Sequence, residues 1–158
     1  MGGRRASARA ALAASGLDPA CLGLEITEGV IIRQADSASS RFSRLKSLGV
    51  QLYLDDFGKG YSSLNYLHRF PMDILKIDRS FVSRIEEAEG NFAIVKAIVT
   101  LAHQLGMEVV AEGIQTADQR ARLRGLGCEY GQGSFLSPAV PADEAVQLLM
   151  RRVRTVAP

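Results

Sequence analysis

At 158 residues the chain is long enough to bury a core as one domain, and 47% hydrophobic with 23% charged residues describes an ordinary globular protein, not a disordered or fibrous one. The net charge of +2 owes much to arginines at the two ends (Arg4, Arg5, Arg9; Arg151, Arg152, Arg154), and with 6% aromatic residues and no basic stripe interleaved with aromatics a nucleic acid polymer is a poor partner. No apolar run reaches transmembrane length and the arginine- and alanine-rich start is too weakly hydrophobic for a secretory core, so we expect a cytoplasmic chain without membrane insertion.

Cys21 and Cys128 lack metal-ligand spacing and read as reduced, mostly buried thiols. Residues 1–20 are expected as an N-terminal helix, 21–150 as the strands and helices of a single domain, and 151–158 as a tail. Leu22 to Thr27 alternates in period two between Pro19 and Gly29, a strand signal. Asp36 caps a helix whose Phe42, Leu45 and Leu48 share a face and which Gly49 stops. Val50 to Leu54 is the second strand, Tyr61 to Phe70 a short helix closed by Pro71, and Asp73 to Asp78 the third strand. Asn91 caps a long helix through Leu105, with Phe92, Val95, Val99 and Ala102 on one stripe and Gly106 after it. Glu108 to Ala111 is the fourth strand. Thr116 and Gln119 have capping-box spacing for a helix reaching Leu126, Cys128 to Gly131 is a short fifth strand, and Pro141 starts a last helix with Asp143 and Glu144 in its first turn.

Strands alternating with crossover helices imply a parallel sheet with right-handed crossovers. No glycine-rich phosphate fingerprint follows any strand, and ionisable or polar residues close all five, where a doubly wound sheet concentrates its site at one switch point. The predicted class is therefore α/β, a TIM-like (β/α) barrel. Such a barrel has eight strands and about 250 residues, so five strands make it incomplete.

The residues at those strand ends carry the chemistry. Glu25 interrupts an apolar strand and needs a partner, either a basic side chain or a metal. Asp55 and Asp56 end the second strand side by side, which costs electrostatic repulsion unless a cation neutralises them; a helix cap would explain one but not both. Lys76 and Asp78 lie two apart, and the lysine calls for an anion from carboxylates or a substrate phosphate. Glu112 before Gly113 could ligate a second metal or take a proton from water, and Gln132 between Gly131 and Gly133 offers an amide. Glu28, on the other parity, suits a loop anchor. His68 and His103 sit on helical segments without partners, and Ser62 and Ser63 lack a His/Asp relay. Carboxylates without His or Cys favour Mg2+ or Mn2+, and a two-metal site suits phosphodiester cleavage.

Glu25-Ile-Thr-Glu28, Asp55-Asp56-Phe-Gly-Lys-Gly-Tyr-Ser-Ser-Leu64, Leu75-Lys-Ile-Asp78, Ala111-Glu-Gly113 and Gly131-Gln-Gly133 resemble, in order and spacing, the successive motifs of the EAL domain, a family of bacterial cyclic-di-GMP phosphodiesterases. The resemblance runs from about Leu12 to Met150. It implies metal-dependent hydrolysis of cyclic-di-GMP to linear pGpG, with Glu25, Asp55 and Asp56 as metal ligands, Asp55 bridging, and Glu112 as second-metal ligand or base. Lys76 and Gln132 would position water and substrate. Glu28 would hold the loop from Phe57 and Gly58 to Ser62 and Ser63, which in the family contributes to dimerisation, so a homodimer or partner domain is expected. The Glu-Ala-Leu segment and the strand after it, which carry two further metal ligands in the family, are not found here. The chain is therefore expected to be a truncated domain with weak or no hydrolysis; a non-catalytic cyclic-di-GMP-binding or protein-interaction module is the alternative.

Overall fold

The computed structural model describes residues 3–33, 35–58 and 67–153. Five apolar segments form the strands β1 (Gly23–Thr27), β2 (Gln51–Phe57), β3 (Ile74–Ile77), β4 (Glu108–Glu112) and β5 (Tyr130–Gln132). All pair in parallel in the order β1-β2-β3-β4-β5. Strands that follow one another in the chain thus lie side by side, with no reversal and hence no switch point, which is the progression of a barrel wall. Among the described residues β1 and β5 are the two free edges.

The described helices are α1 (Gly3–Ser15), α2 (Glu28–Arg33), α3 (Ala35–Lys46), α4 (Arg79–Val82), α5 (Glu89–Gln104), α6 (Ala117–Gly125) and α7 (Ala142–Val153), with a 3-10 turn at Pro19–Cys21 between α1 and β1. Period-two alternation sends Leu52, Leu54, Leu75, Ile77, Val109 and Ala111, each fully buried, into one core with Phe42 of α3, Val95, Val99 and Ala102 of α5, and Leu123 of α6. Each of these side chains larger than alanine contributes about 1.5–3 kcal/mol by leaving water. The alternate residues of the strands, freed from that core, are available for the site.

The local signals hold where two bonds cooperate. Thr116 accepts from the Gln119 amide while the Gln119 side chain accepts from that of Thr116, a complete capping box. α5 ends at Gly106, whose φ of +74° lets the Met107 and Gly106 amides return to the carbonyls of Ala102 and His103. Its start differs from expectation: the N-cap is Ala88, without a side-chain bond, and Asn91 lies inside the first turn. Glu89 supplies the negative charge that the N-terminus favours. Helices α2 and α4 are too short to show a period in the sequence, and most of the helix expected over Tyr61 to Phe70 lies outside the described residues. The expectation of buried thiols fails at Cys21, which is exposed on the 3-10 turn. Cys128 is half-buried, and burial together with neighbouring Glu129 pushes its thiol up to about 12.

Candidate functional site

Parallel strands end on one side of their sheet, and there each of the five contributes one polar side chain to a single cluster. Lys76, on the central strand β3, is 6% exposed. Its Nζ lies 2.6 Å from Glu25 Oε1 (β1), 3.1 Å from Asp55 Oδ1 (β2) and 2.7 Å from Glu112 Oε1 (β4). Gln132 Nε2 (β5) donates to the same Glu112 oxygen at 2.8 Å. Burial by itself would lower the lysine's pKa, but the hydrogen bonds to Glu112, Glu25 and Asp55 outweigh it and hold the pKa above the ordinary value. The ammonium is therefore a permanent positive charge.

Glu25 finds a basic partner, yet its side chain is 53% exposed, because β1 is an edge strand and not the enclosed one its apolar neighbours suggest. Asp55 and Asp56 lie inside β2, which runs past Leu54 to Phe57, and the pairing with β3 shifts register between Leu54 and Phe57. Asp56 occupies the left-handed region at φ +57°. Beside that bulge Asp55 pairs with Lys76 at 3.1 Å. Asp56→Val is expected to be about 1–2 kcal/mol less stable than Asp56→Gly, since a β-branched residue resists this conformation. Equal urea midpoints for the two variants would show that the left-handed turn is dispensable.

Asp78 is buried at the N-cap of α4, accepting from the Ser80 amide at 2.9 Å. Glu28 heads α2, 6% exposed, and its Oε2 accepts from the Gly58 amide at 3.3 Å; Oε1 has no hydrogen-bond partner among the described residues. This bond ties the start of α2 to the residue after the buried Phe57. Ser62 and Ser63 lie outside the described residues.

His103, expected to lack a partner, pairs through Nε2 with Glu129 Oε1 at 3.0 Å. Glu129 also accepts from the Val109 amide at 2.8 Å, near the end of β4 opposite Glu112. Asp73 does the same for the Leu52 amide at 2.7 Å while bound to Lys46. Neither carboxylate was singled out from the sequence. Each stands just before a strand and caps its neighbour, far from the cluster.

The donor chemistry fits a hard divalent cation: three carboxylates surround one ammonium, leaving a formal surplus of negative charge, with no His or Cys in the set. In this structure the ammonium of Lys76 occupies the centre of the three carboxylates.

A family model described as EAL domain matches residues 6–139. The cyclic di-GMP phosphodiesterase NbdA of Pseudomonas aeruginosa is 44% identical over 133 residues, 84% of this chain and 17% of that protein. The phosphodiesterase of P. aeruginosa MucR, solved as a c-di-GMP complex, superposes with a TM-score of 0.82 at 42% identity, covering 87% of this chain and 56% of that one. BlrP1 of Klebsiella pneumoniae, solved with manganese and cy-diGMP, gives a TM-score of 0.72 at 36% identity, covering 78% and 32%. The chain spans about a fifth of the length of curated relatives such as NbdA and MucR.

Proposed function

Because this chain belongs to the EAL domain family, with its TIM-barrel-like α/β fold, we propose that the cluster around Lys76 is a metal-dependent phosphodiesterase site for cyclic-di-GMP, and that the 158-residue chain alone turns it over weakly. The observation that carries this reading is the convergence of one chemically apt group from each of five successive strands.

In this reading Glu25, Asp55, Asp56 and Glu112 hold Mg2+ or Mn2+, which would supply an activated water and neutralise charge on the phosphodiester. Lys76 orients Glu25, Asp55 and Glu112 through its three hydrogen bonds and presents a fixed positive charge to an anionic substrate. Gln132 fixes the rotamer of Glu112, so that its remaining lone pairs face outward to accept a proton. Glu28 anchors Gly58 and with it the start of the segment running to Ser62 and Ser63. A second copy or a partner domain covers the free edges of β1 and β5. Weak turnover fits the half-exposed Glu25 at the edge of the sheet, since ligand geometry sets both metal affinity and rate.

Incubation with cyclic-di-GMP and Mn2+ or Mg2+, followed by chromatography for pGpG and calorimetry for binding, tests this. Binding with slow appearance of linear product is expected. Turnover at about 1 s−1 or faster, ordinary for an enzyme, would overturn the expectation of weakness. Binding without product would make the chain a receptor module, and neither binding nor product would overturn the whole assignment.

A further inference from the structure

The three N–H donors of Lys76 are all engaged, one each on Glu25, Asp55 and Glu112, and the four groups together keep a surplus of negative charge. The ammonium can lend its field to a phosphodiester but has no hydrogen bond left to give it. An anionic ligand at this mouth therefore calls for a second cationic donor, one that the carboxylates do not already hold.

Arg79 stands at that place. It follows Asp78 past the end of β3 and is the first residue of α4. The register of β3 on β4, Lys76 beside Val110 and Ile77 beside Ala111, carried two residues further sets Arg79 beside Gly113. The contact is made: a Cβ at Gly113 would come within 2.6 Å of Arg79 Cβ and 3.4 Å of its Cα. Gly113 is the residue after Glu112, so Arg79 leaves the backbone one strand step, about 3.3 Å, beyond the level of that carboxylate. The glycine, at φ +73°, serves this close approach as well as the turn, since a side chain there would displace the stem of Arg79 itself. Arg79 is exposed, and among the described residues its guanidinium has no ion pair or hydrogen bond. The preceding Asp78 accepts from the Ser80 amide.

We propose that Arg79 is the side chain that takes a phosphodiester group of the substrate, its planar guanidinium donating two parallel hydrogen bonds to the non-bridging oxygens. A guanidinium suits the task better than an ammonium, because its donors form a fixed fork that matches a phosphate and it sheds water more readily. The two cations then divide the work. Lys76 orders the carboxylates from below, and Arg79, held by its stem against Gly113 but otherwise unbonded, closes on the ligand from the rim. The inference rests on the phosphodiesterase reading above and adds to it the group that meets the substrate's charge.

Calorimetry with cyclic-di-GMP and manganese on the wild type, Arg79→Gln, Arg79→Lys and Arg124→Gln tests this. Arg124 is an exposed arginine in the last turn of α6, the helix that leads into the start of β5, so it lies toward the opposite ends of the strands. Its loss removes the same charge far from the mouth. Arg79→Gln should bind about tenfold more weakly or worse, as for a lost hydrogen bond to a charged group. Arg79→Lys, which keeps the charge but not the fork, should fall between that variant and the wild type, and Arg124→Gln should match the wild type. Urea midpoints should be the same in all four proteins, since both arginines are exposed. Wild-type affinity in Arg79→Gln would overturn the proposal and leave the phosphodiesterase reading standing. Equal losses in Arg79→Gln and Arg124→Gln would reduce the effect to the overall field, and a lysine variant as weak as the glutamine one would show that the charge is not what is read; either overturns it. A wild type that binds no cyclic-di-GMP would instead remove the phosphodiesterase reading, and this inference with it.

Discussion

Replacing Lys76 by methionine is expected to lower the stability of the fold by about 3 kcal/mol, while Lys46→Met costs about 1 kcal/mol or less. Both lysines form ion pairs, but their surroundings differ. The Lys76 side chain is 8% exposed, and two of its three carboxylates, Asp55 and Glu112, are 19% and 17% exposed. Removing the ammonium strands two negative charges where water reaches them poorly. Breaking a buried pair from one side costs about 3–5 kcal/mol, and the lower end applies because Glu25 can turn to solvent. Lys46 and Asp73 are 32% and 31% exposed, so solvent takes over when that pair is lost. The sign with pH follows from the raised folded pKa. The contribution of Lys76 is complete below its unfolded value of 10.5 and is lost only as pH rises through the higher folded value, so the difference between wild type and variant should stay flat from neutrality to 10.5. Manganese should also raise the unfolding midpoint of Lys76→Met more than that of the wild type, because the cation replaces the missing ammonium. Equal costs at Lys46 and Lys76 in urea titrations, or no manganese effect, would show that the carboxylates do not depend on an internal cation.

The parts of this architecture that could be read from the chain are those set by local periodicity. Strand alternation at Leu52 and Leu54, the Thr116–Gln119 capping box and the stop at Gly106 each depend on neighbours within a few residues. The grouping of Glu25, Asp55, Lys76, Glu112 and Gln132 was legible for a different reason: parallel strands put all their C-terminal ends on one side. What stayed hidden depends on contacts distant in sequence. The exposure of Glu25 follows from β1 being an edge, a property of the whole sheet. The bulge at Asp55 and Asp56 is a mismatch between β2 and β3, invisible in either strand alone. Asp78, two residues after Lys76 at the end of β3, serves instead where the chain turns into α4, as the cap of that helix. The His103–Glu129 pair joins α5 to the residue before β5, which no helical period announces.

Gly133→Ala is expected to cost about 3 kcal/mol or more and to release Gln132 from Glu112, whereas Gly131→Ala should cost about 1 kcal/mol. A Cβ at Gly133 would overlap the backbone of Ile114 itself, and a peptide group cannot rotate aside. A Cβ at Gly131 would meet Ile114 Cδ1 at 2.6 Å, the free end of a flexible side chain. The Ile114 peptide is also doubly engaged, its amide donating to the Gln132 carbonyl at 3.0 Å and its carbonyl accepting from the Phe135 amide at 3.1 Å. Pushing it away sacrifices both bonds, at about 0.5–1.5 kcal/mol each, in addition to the overlap. The flanking glycines of Gln132, uninformative as a sequence feature, therefore have a physical basis: they let β5 lie directly against Ile114, which sets the reach of the Gln132 amide to Glu112. Urea titrations of the two variants give the stabilities, and calorimetry with cyclic-di-GMP, the ligand of the proposed function, reads the site. Equal stability losses, or unchanged ligand affinity in a folded Gly133→Ala protein, would mean that β5 tolerates displacement and that Gln132 does not depend on this close approach.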